Sequence, residues 1–247
     1  MKLKMIFFDF GGTLDVYPSD KAQKARASAK VKRMLEEAGA HPLKDVSESE
    51  FEKTLFDGLS AYYSWRKEDC IELPPEEIFE RFILNKYGIE KRISDEFGEK
   101  AAFIIETDGY HRSARPEAKE AMEMLRAKNI PLGIISNIIS RGQVPYSLES
   151  YGLTEYFNPV ILSATYGKRK PHPGIFRHAC EKAGVDIRDA MYVGNSPSKD
   201  IDGAKNAGMG KTVLIEYFDN DPHDTGAQAD FTIKDLRELI PIAEELL

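Results

Sequence analysis

Residues 1–15, MKLKMIFFDFGGTLD, are the stretch from which the rest of the chain is read. Met5, Ile6, Phe7 and Phe8 form a short, wholly apolar run, the pattern of a strand buried on both faces. Asp9 ends the run abruptly, and Gly11, Gly12 and Thr13 follow at once. Glycines permit backbone shapes that turn amide groups inward around a small anion. A carboxylate at the carboxyl end of a buried strand, above a glycine turn, is well placed for chemistry. The competing reading is an Asp9 that only caps a turn. A motif this short does not separate the two.

Three later segments do. Ile134-Ile135-Ser136-Asn137 is a second apolar run ending in a small hydroxyl, and Lys170-Pro171-His172-Pro173 lies just ahead of a helical pattern. Met191-Tyr192-Val193-Gly194-Asn195-Ser196 is the third, followed by Asp200 and then Gly203-Ala204. In this order and spacing the four segments resemble the motifs of the haloacid dehalogenase (HAD) superfamily, most of whose members are phosphatases. The resemblance covers Met1 to Asp15 and about Arg115 to Leu214. It implies an α/β fold: a Rossmann-like three-layer core with a mostly parallel sheet, plus an inserted α-helical cap domain. The expected division is a core of residues 1–16 and 114–247 and a cap of residues 17–113.

The residues between the motifs agree with that division. Ser19 is placed to cap a helix over Asp20–Ala38, and Ser47 or Ser49 to open a second with Phe51, Leu55 and Leu59 on one stripe. Pro74-Pro75-Glu76-Glu77 reads as the start of a third, running to Tyr87-Gly88, and a fourth is expected over Ser94–Tyr110. From Arg115 onward helix and strand patterns alternate, the signature of a mostly parallel sheet. Strands are expected at Leu132–Ile135, Val160–Ser163, Ala190–Val193 and Thr212–Ile215, with an edge strand at Phe231–Ile233. The helices of this half are expected from Pro116 to near Asn129, over Val144–Tyr151, Gly174–Ala183 and Lys199–Asn206, and over Leu236–Leu246 with a bend at Pro241. Asp219-Asn220-Asp221-Pro222 reads as a polar loop.

Composition narrows the partners. A net charge of -7 argues against nucleic acid or an acidic membrane surface as the main one. Neither a signal peptide nor a run long enough to span a bilayer is visible, and Cys70 and Cys180 suggest no disulfide framework. A cytoplasmic protein is therefore expected, and the resemblance implies a small-molecule phosphorylated substrate. Scarce glutamine beside abundant Lys and Glu hints at a hot habitat.

The resemblance assigns roles. Asp9 becomes the nucleophile, attacking phosphorus to give an aspartyl phosphate that water then cleaves. Lys170 supplies a point charge and Ser136 a hydroxyl donor. The turn Gly11, Gly12, Thr13 supplies backbone donors, and Asn137 adds a side-chain donor or fixes the loop. Lys168 and Arg169 compete with Lys170, which alone holds the family position before Pro-x-Pro. Mg²⁺ is the implied cofactor, with Asp9, the Gly11 carbonyl, Asn195 and Asp200 as the metal set. The implied cap would choose the substrate. Tyr62, Tyr63 and Trp65 are candidates for its pocket, although a place in the cap's own core is expected for at least two of them. His111 and Arg112, near the return hinge, are expected in solvent rather than on a substrate anion.

Two positions depart from the phosphatase pattern. Gly11 stands where that pattern has its acid–base Asp, and Asn195 where it has a metal-ligand Asp. Asp15, His172 and Tyr17 are the candidate substitutes for the proton carrier. The expected activity is a slow, Mg²⁺-dependent phosphatase. A 2-haloacid dehalogenase-like hydrolase and a non-catalytic phosphate-binding module are the alternatives.

Overall fold

The computed structural model describes residues 2–217 and 224–247; the expected polar loop at 219–222 lies outside them. The chain divides into two compact units. One comprises residues 1–16, 113–137 and 144–247; the other comprises 17–112 and 138–143.

The chain opens with β1 (Met5–Phe8) and β2 (Asp15–Val16), then enters the helices α1 (Lys21–Glu37), α2 (Glu48–Trp65), α3 (Pro75–Phe82) and α4 (Lys91–Asp108). It returns through β3 (Ser113–Ala114) to α5 (Ala118–Ala127), β4 (Leu132–Ser136), α6 (Gln143–Ser150), β5 (Phe157–Leu162) and a short α7 (Ser163–Tyr166). Then come α8 (Pro173–Ala183), β6 (Ala190–Gly194), α9 (Asp202–Ala207), β7 (Lys211–Ile215), β8 (Phe231–Ile233) and α10 (Leu239–Leu246).

The first unit is built on a six-stranded sheet of order β5-β4-β1-β6-β7-β8, every pairing parallel. All four side chains of β1 are buried, which is why its sequence is uniformly apolar rather than alternating. The strand order reverses at β1, flanked by β4 and β6. Open parallel sheets bind ligands outside the carboxyl ends of the strands at such a reversal. Asp9, Ser136 and Asn195 all lie at or just past those ends.

The helical unit has its own core, including Val31, Leu35, Phe51, Leu55, Phe79 and Ile105. Tyr62 belongs to it, Tyr63 packs against it, and Trp65 remains 38% exposed, so the core holds two of the three aromatic candidates. Among the described residues, no helix is long and apolar enough to cross a membrane.

Several expectations move. Asp20, not Ser19, caps α1, because its carboxylate takes the Gln23 amide while Gln23 reaches back in a capping box. The helix expected from Pro75 to Tyr87 breaks at Ile83, and a separate 3-10 turn, Leu84–Tyr87, ends at left-handed Gly88. A 3-10 turn, Leu236–Glu238, precedes α10, so Pro241 falls in the first turn of a helix, where its missing N–H costs nothing. Arg112 is not solvated. Its side chain is 10% exposed, and its Nε donates to the Glu106 carbonyl at 2.7 Å. Segment 138–143 joins the helical unit, since Ile139, 1% exposed, is part of its core. Glu99 secures that segment, accepting from the Ser140 hydroxyl at 2.7 Å and from the Arg141 and Gly142 amides at 3.1 Å.

Candidate active site

Asp9 extends β1 by one rung, its amide donating to the Val193 carbonyl of β6 at 2.8 Å. Its carboxylate is split in function. Oδ1 accepts from the Phe10 amide at 2.7 Å and from the Lys170 ammonium at 2.8 Å. Oδ2 takes no donor among the described residues, and the side chain keeps 14% exposure. Burial pushes the carboxyl up to about 6 against the pull of the Lys170 charge.

Lys170 is buried, at 2% exposure, and is not the mobile charge its loop position suggests. Its Nζ lies 2.8 Å from Asp9 Oδ1, 2.7 Å from Asp200 Oδ1 and 2.7 Å from the Tyr192 hydroxyl. Two carboxylates and a phenol compensate the desolvated ammonium. Its backbone is fixed as well: the Lys170 amide donates to Asn137 Oδ1 at 2.8 Å, and Asn137 Nδ2 donates to the Lys170 carbonyl at 2.9 Å. Of the two roles open to Asn137, the geometry gives it loop-fixing. Ser136, 3% exposed at the end of β4, has a hydroxyl with no hydrogen-bond partner among the described residues.

The glycine turn supplies fewer donors than expected. The Gly12 amide is spent on the Asp15 carbonyl at 2.9 Å and the Thr13 amide on the Phe10 carbonyl at 3.3 Å. Closing the turn consumes them, which leaves the Gly11 amide as the one of the three without a partner among the described residues. The positive φ falls on Gly12, at 82°. A Cβ there would lie 2.6 Å from Asn195 Nδ2, so the carboxamide rests where a side chain would stand. Thr13 Oγ1 donates to Asn195 Oδ1 at 3.4 Å.

Asp200, expected among the metal ligands, faces inward. It is 1% exposed; Oδ1 meets Lys170, and Oδ2 accepts the Ser196 amide at 2.9 Å. Gly194 makes this possible, because a Cβ on it would lie 2.5 Å from the Asp200 Cγ. No group of three His, Cys, Asp or Glu suited to a metal occurs among the described residues. What remains is the Asp9 carboxylate with the neutral oxygens of Gly11 and Asn195. That hard-oxygen set fits Mg²⁺, which keeps much of its shell as water and phosphate.

The candidate proton carriers are committed elsewhere. Asp15 is fully buried, with Oδ2 accepting from the Tyr151 hydroxyl at 3.4 Å. His172 caps α8, its Nδ1 accepting from the Gly174 amide at 3.1 Å. Tyr17 belongs to the helical unit, where it packs edge-on against Tyr110 with the Arg112 guanidinium over its ring.

Two residues escaped the sequence reading. Tyr192 looks like one more apolar member of β6. Arg115 looks like a helix flank, yet its Nη2 donates to the Gly12 carbonyl at 3.0 Å and to the Glu216 carbonyl at 2.9 Å. An arginine where the chain returns from a helical insert, beside a glycine turn, carries no pattern of its own.

Comparison with known proteins agrees with the geometry. The chain is 30% identical to a glyceraldehyde 3-phosphate phosphatase of Methanopyrus kandleri, over 99% of this chain and 98% of that one. It is 29% identical to a phosphoserine phosphatase of Thermus thermophilus, over 90% of this chain and 86% of the relative. Among solved structures, a 2-haloacid dehalogenase from Pseudomonas syringae superposes with a TM-score of 0.67 at 22% identity, covering 99% of this chain and 100% of that one. A HAD phosphatase from Thermococcus onnurineus superposes at 0.65 and 23%, covering 97% of both chains. At these identities the structures speak for the fold alone. The model of the haloacid dehalogenase-like hydrolases matches residues 3–208, and the chain belongs to that family.

Proposed function

We propose that this hydrolase is a phosphatase of small phosphomonoesters working through an aspartyl phosphate on Asp9. The observation that carries the reading is the divided carboxylate, with Oδ1 clamped by Lys170 and the Phe10 amide and Oδ2 left open. A nucleophile with one oxygen fixed loses little orientational freedom on attack. Oδ2 attacks phosphorus, the ester P–O bond breaks, and the alcohol departs. Water then attacks the aspartyl phosphate, releasing inorganic phosphate and restoring Asp9.

The Ser136 hydroxyl and the Gly11 amide are donors for the phosphoryl oxygens, and Lys170 balances their charge. Asn137 acts by holding Lys170. The Asp9 carboxylate, the Gly11 carbonyl and Asn195 would hold Mg²⁺, with Asp200 serving Lys170 rather than the metal. Bound Mg²⁺ would draw negative charge from the transferring group. The leaving alcohol takes its proton from solvent, because Gly11 has none to give and Asp15 and His172 are engaged. Activity is consequently slow on esters with poor leaving groups.

Two well-covered relatives named as phosphatases support this reading over the dehalogenase one. The helical unit is the proposed cap and the element that selects substrate. Two free cysteines, one of them buried, suit a cytoplasmic setting, and the Lys- and Glu-rich composition suits a warm one.

The test is Asp9→Asn, assayed in parallel for phosphate and halide release with and without EDTA. Phosphate release by the wild type, lost with EDTA and lost in the folded variant, is the expected result. Halide release insensitive to EDTA would establish the dehalogenase instead, and a variant retaining most of its activity would remove Asp9 as nucleophile.

A further inference from the structure

Lys170 carries three N–H donors. Three acceptors lie at bonding distance: Asp9 Oδ1 at 2.8 Å, Asp200 Oδ1 at 2.7 Å and the Tyr192 hydroxyl at 2.7 Å. Each proton of the ammonium is therefore already taken. The Tyr192 hydroxyl is equally committed. Having accepted from Lys170, it has one hydrogen, with the Ile135 carbonyl at 3.1 Å and Asp200 Oδ1 at 3.3 Å as acceptors. Its ring is fully buried, in register with Phe7 on the neighbouring strand and edge-on to Phe176 at 5.0 Å. The phenol thus has an anchored body and a hydroxyl at a fixed height beneath the ammonium.

We infer that Tyr192 is a positioning residue, the third leg of a tripod that holds the Lys170 ammonium against the nucleophile. The inference rests on the phosphatase reading of the site. A phenylalanine would fill the same space, so packing alone does not call for the hydroxyl. The three legs are also unequal. Hydrogen bonds to carboxylates are charge-assisted and stronger than one to a neutral phenol. When a phosphoryl oxygen seeks a proton from Lys170, the neutral leg is the one exchanged with least loss. In the free enzyme, Tyr192 occupies the donor that the substrate anion later uses and keeps the ammonium from collapsing between the two carboxylates.

This has a signature that a packing role lacks. In Tyr192→Phe the ammonium has an uncommitted proton, so inorganic phosphate binds more tightly. The ammonium is also drawn away from its productive position, so kcat falls. Both changes should be roughly 3- to 10-fold, the scale of one neutral hydrogen bond. The measurement is kcat and KM with p-nitrophenyl phosphate, together with the Kd of inorganic phosphate by calorimetry, for the wild type and Tyr192→Phe. Phe176→Leu is the packing control, expected to lower Tm without tightening phosphate. 3-Fluorotyrosine at position 192, a weaker acceptor of the same shape, should fall between wild type and Tyr192→Phe, and it tests the point if the phenylalanine variant does not fold.

Lys170→Met separates this inference from the reading beneath it. If Lys170→Met binds phosphate and turns over ester like the wild type, the phosphate-site reading fails. If Lys170→Met abolishes both while Tyr192→Phe keeps wild-type kcat and Kd, the tripod alone is overturned. Weaker phosphate binding in Tyr192→Phe, or changes matching those of Phe176→Leu, would overturn it equally.

Discussion

Gly11 is the residue to which the proposed slow turnover is traced. The turn that holds it takes its positive φ at Gly12, not Gly11, so an ordinary side chain at position 11 meets no left-handed strain. Gly11→Asp should therefore fold and would put a carboxyl where the family pattern has its acid. General acid help matters most when the departing oxygen is basic. We expect kcat/KM for an alkyl phosphate to rise at least tenfold, with a gain below about threefold for a nitrophenyl ester, since acid catalysis contributes 10²–10⁴-fold when fully expressed. Equal gains on both esters, or none in a folded variant, would mean that protonation of the leaving group does not limit this enzyme. At this scale the sequence was partly legible. Motif order singled out Asp9, Ser136 and Lys170, and the structure joins Lys170 to Asp9. Tyr192 and Arg115 were invisible, because each acts through a backbone or side chain far away in the chain. The sequence also gave no sign that Asp200, expected as a metal ligand, has one oxygen on Lys170 and the other on the Ser196 amide.

Among the elements, α8 links the lysine loop to the fold through an unusual cap. His172 closes its N-terminus as an acceptor, the imidazole Nδ1 taking the Gly174 amide at 3.1 Å. Burial first, then the charges of Lys168 and Arg177, lower its pKa below the ordinary value of about 6.5. The sign follows from linkage. As pH falls through 6.5 the unfolded chain takes up a proton that the folded chain still refuses, so stability present above that pH is lost below it. Protonation also removes the acceptor and sets a cation at the positive end of a helix dipole. His172→Asn keeps a capping oxygen without the titration. Its Tm should therefore change less between pH 7 and pH 5 than that of the wild type; parallel melting curves with the same slope would show that His172 is not the responsible group. Elements with strong periodicity or clear punctuation, such as β1, α1 and α8, were legible within a residue or two. The breaks at Ile83 and before Leu239, and the two-residue strands β2 and β3, were not, because local hydrogen-bond closure decides them and hydrophobic period does not.

The molecule as a whole is one chain folded as two units, and the first unit holds both ends of the helical insert. β2 and β3 pair antiparallel, with Asp15 opposite Ala114 and Val16 opposite Ser113. The two ends of the long helical insert therefore leave the first unit side by side, as the arms of a hairpin do. Replacing residues 17–112 with Asn-Gly would turn those arms into a two-residue hairpin, the loop length such strands favour. The sheet and its flanking helices retain a buried core of their own, including Met5, Phe7, Ile135, Phe176, Ala190 and Tyr192. One obstacle was not readable from the sequence: Ile139 lies after the second motif, yet it is buried in the helical unit's core. Deleting the insert would expose it and forfeit the roughly 1.5–3 kcal/mol that burying such a side chain provides. We expect the shortened chain carrying Ile139→Ser to be monomeric, to melt cooperatively and to bind inorganic phosphate, with Lys170→Met removing that binding. The same chain with Ile139 retained should aggregate more readily. Substrate discrimination should be lost, since the proposed selecting element is gone, while nitrophenyl phosphate is still cleaved. Circular dichroism melts, size-exclusion chromatography and phosphate calorimetry on the two shortened chains test this. If neither melts cooperatively, the sheet unit depends on the helical unit for its stability, and the insert is a structural necessity rather than an accessory to an independent core.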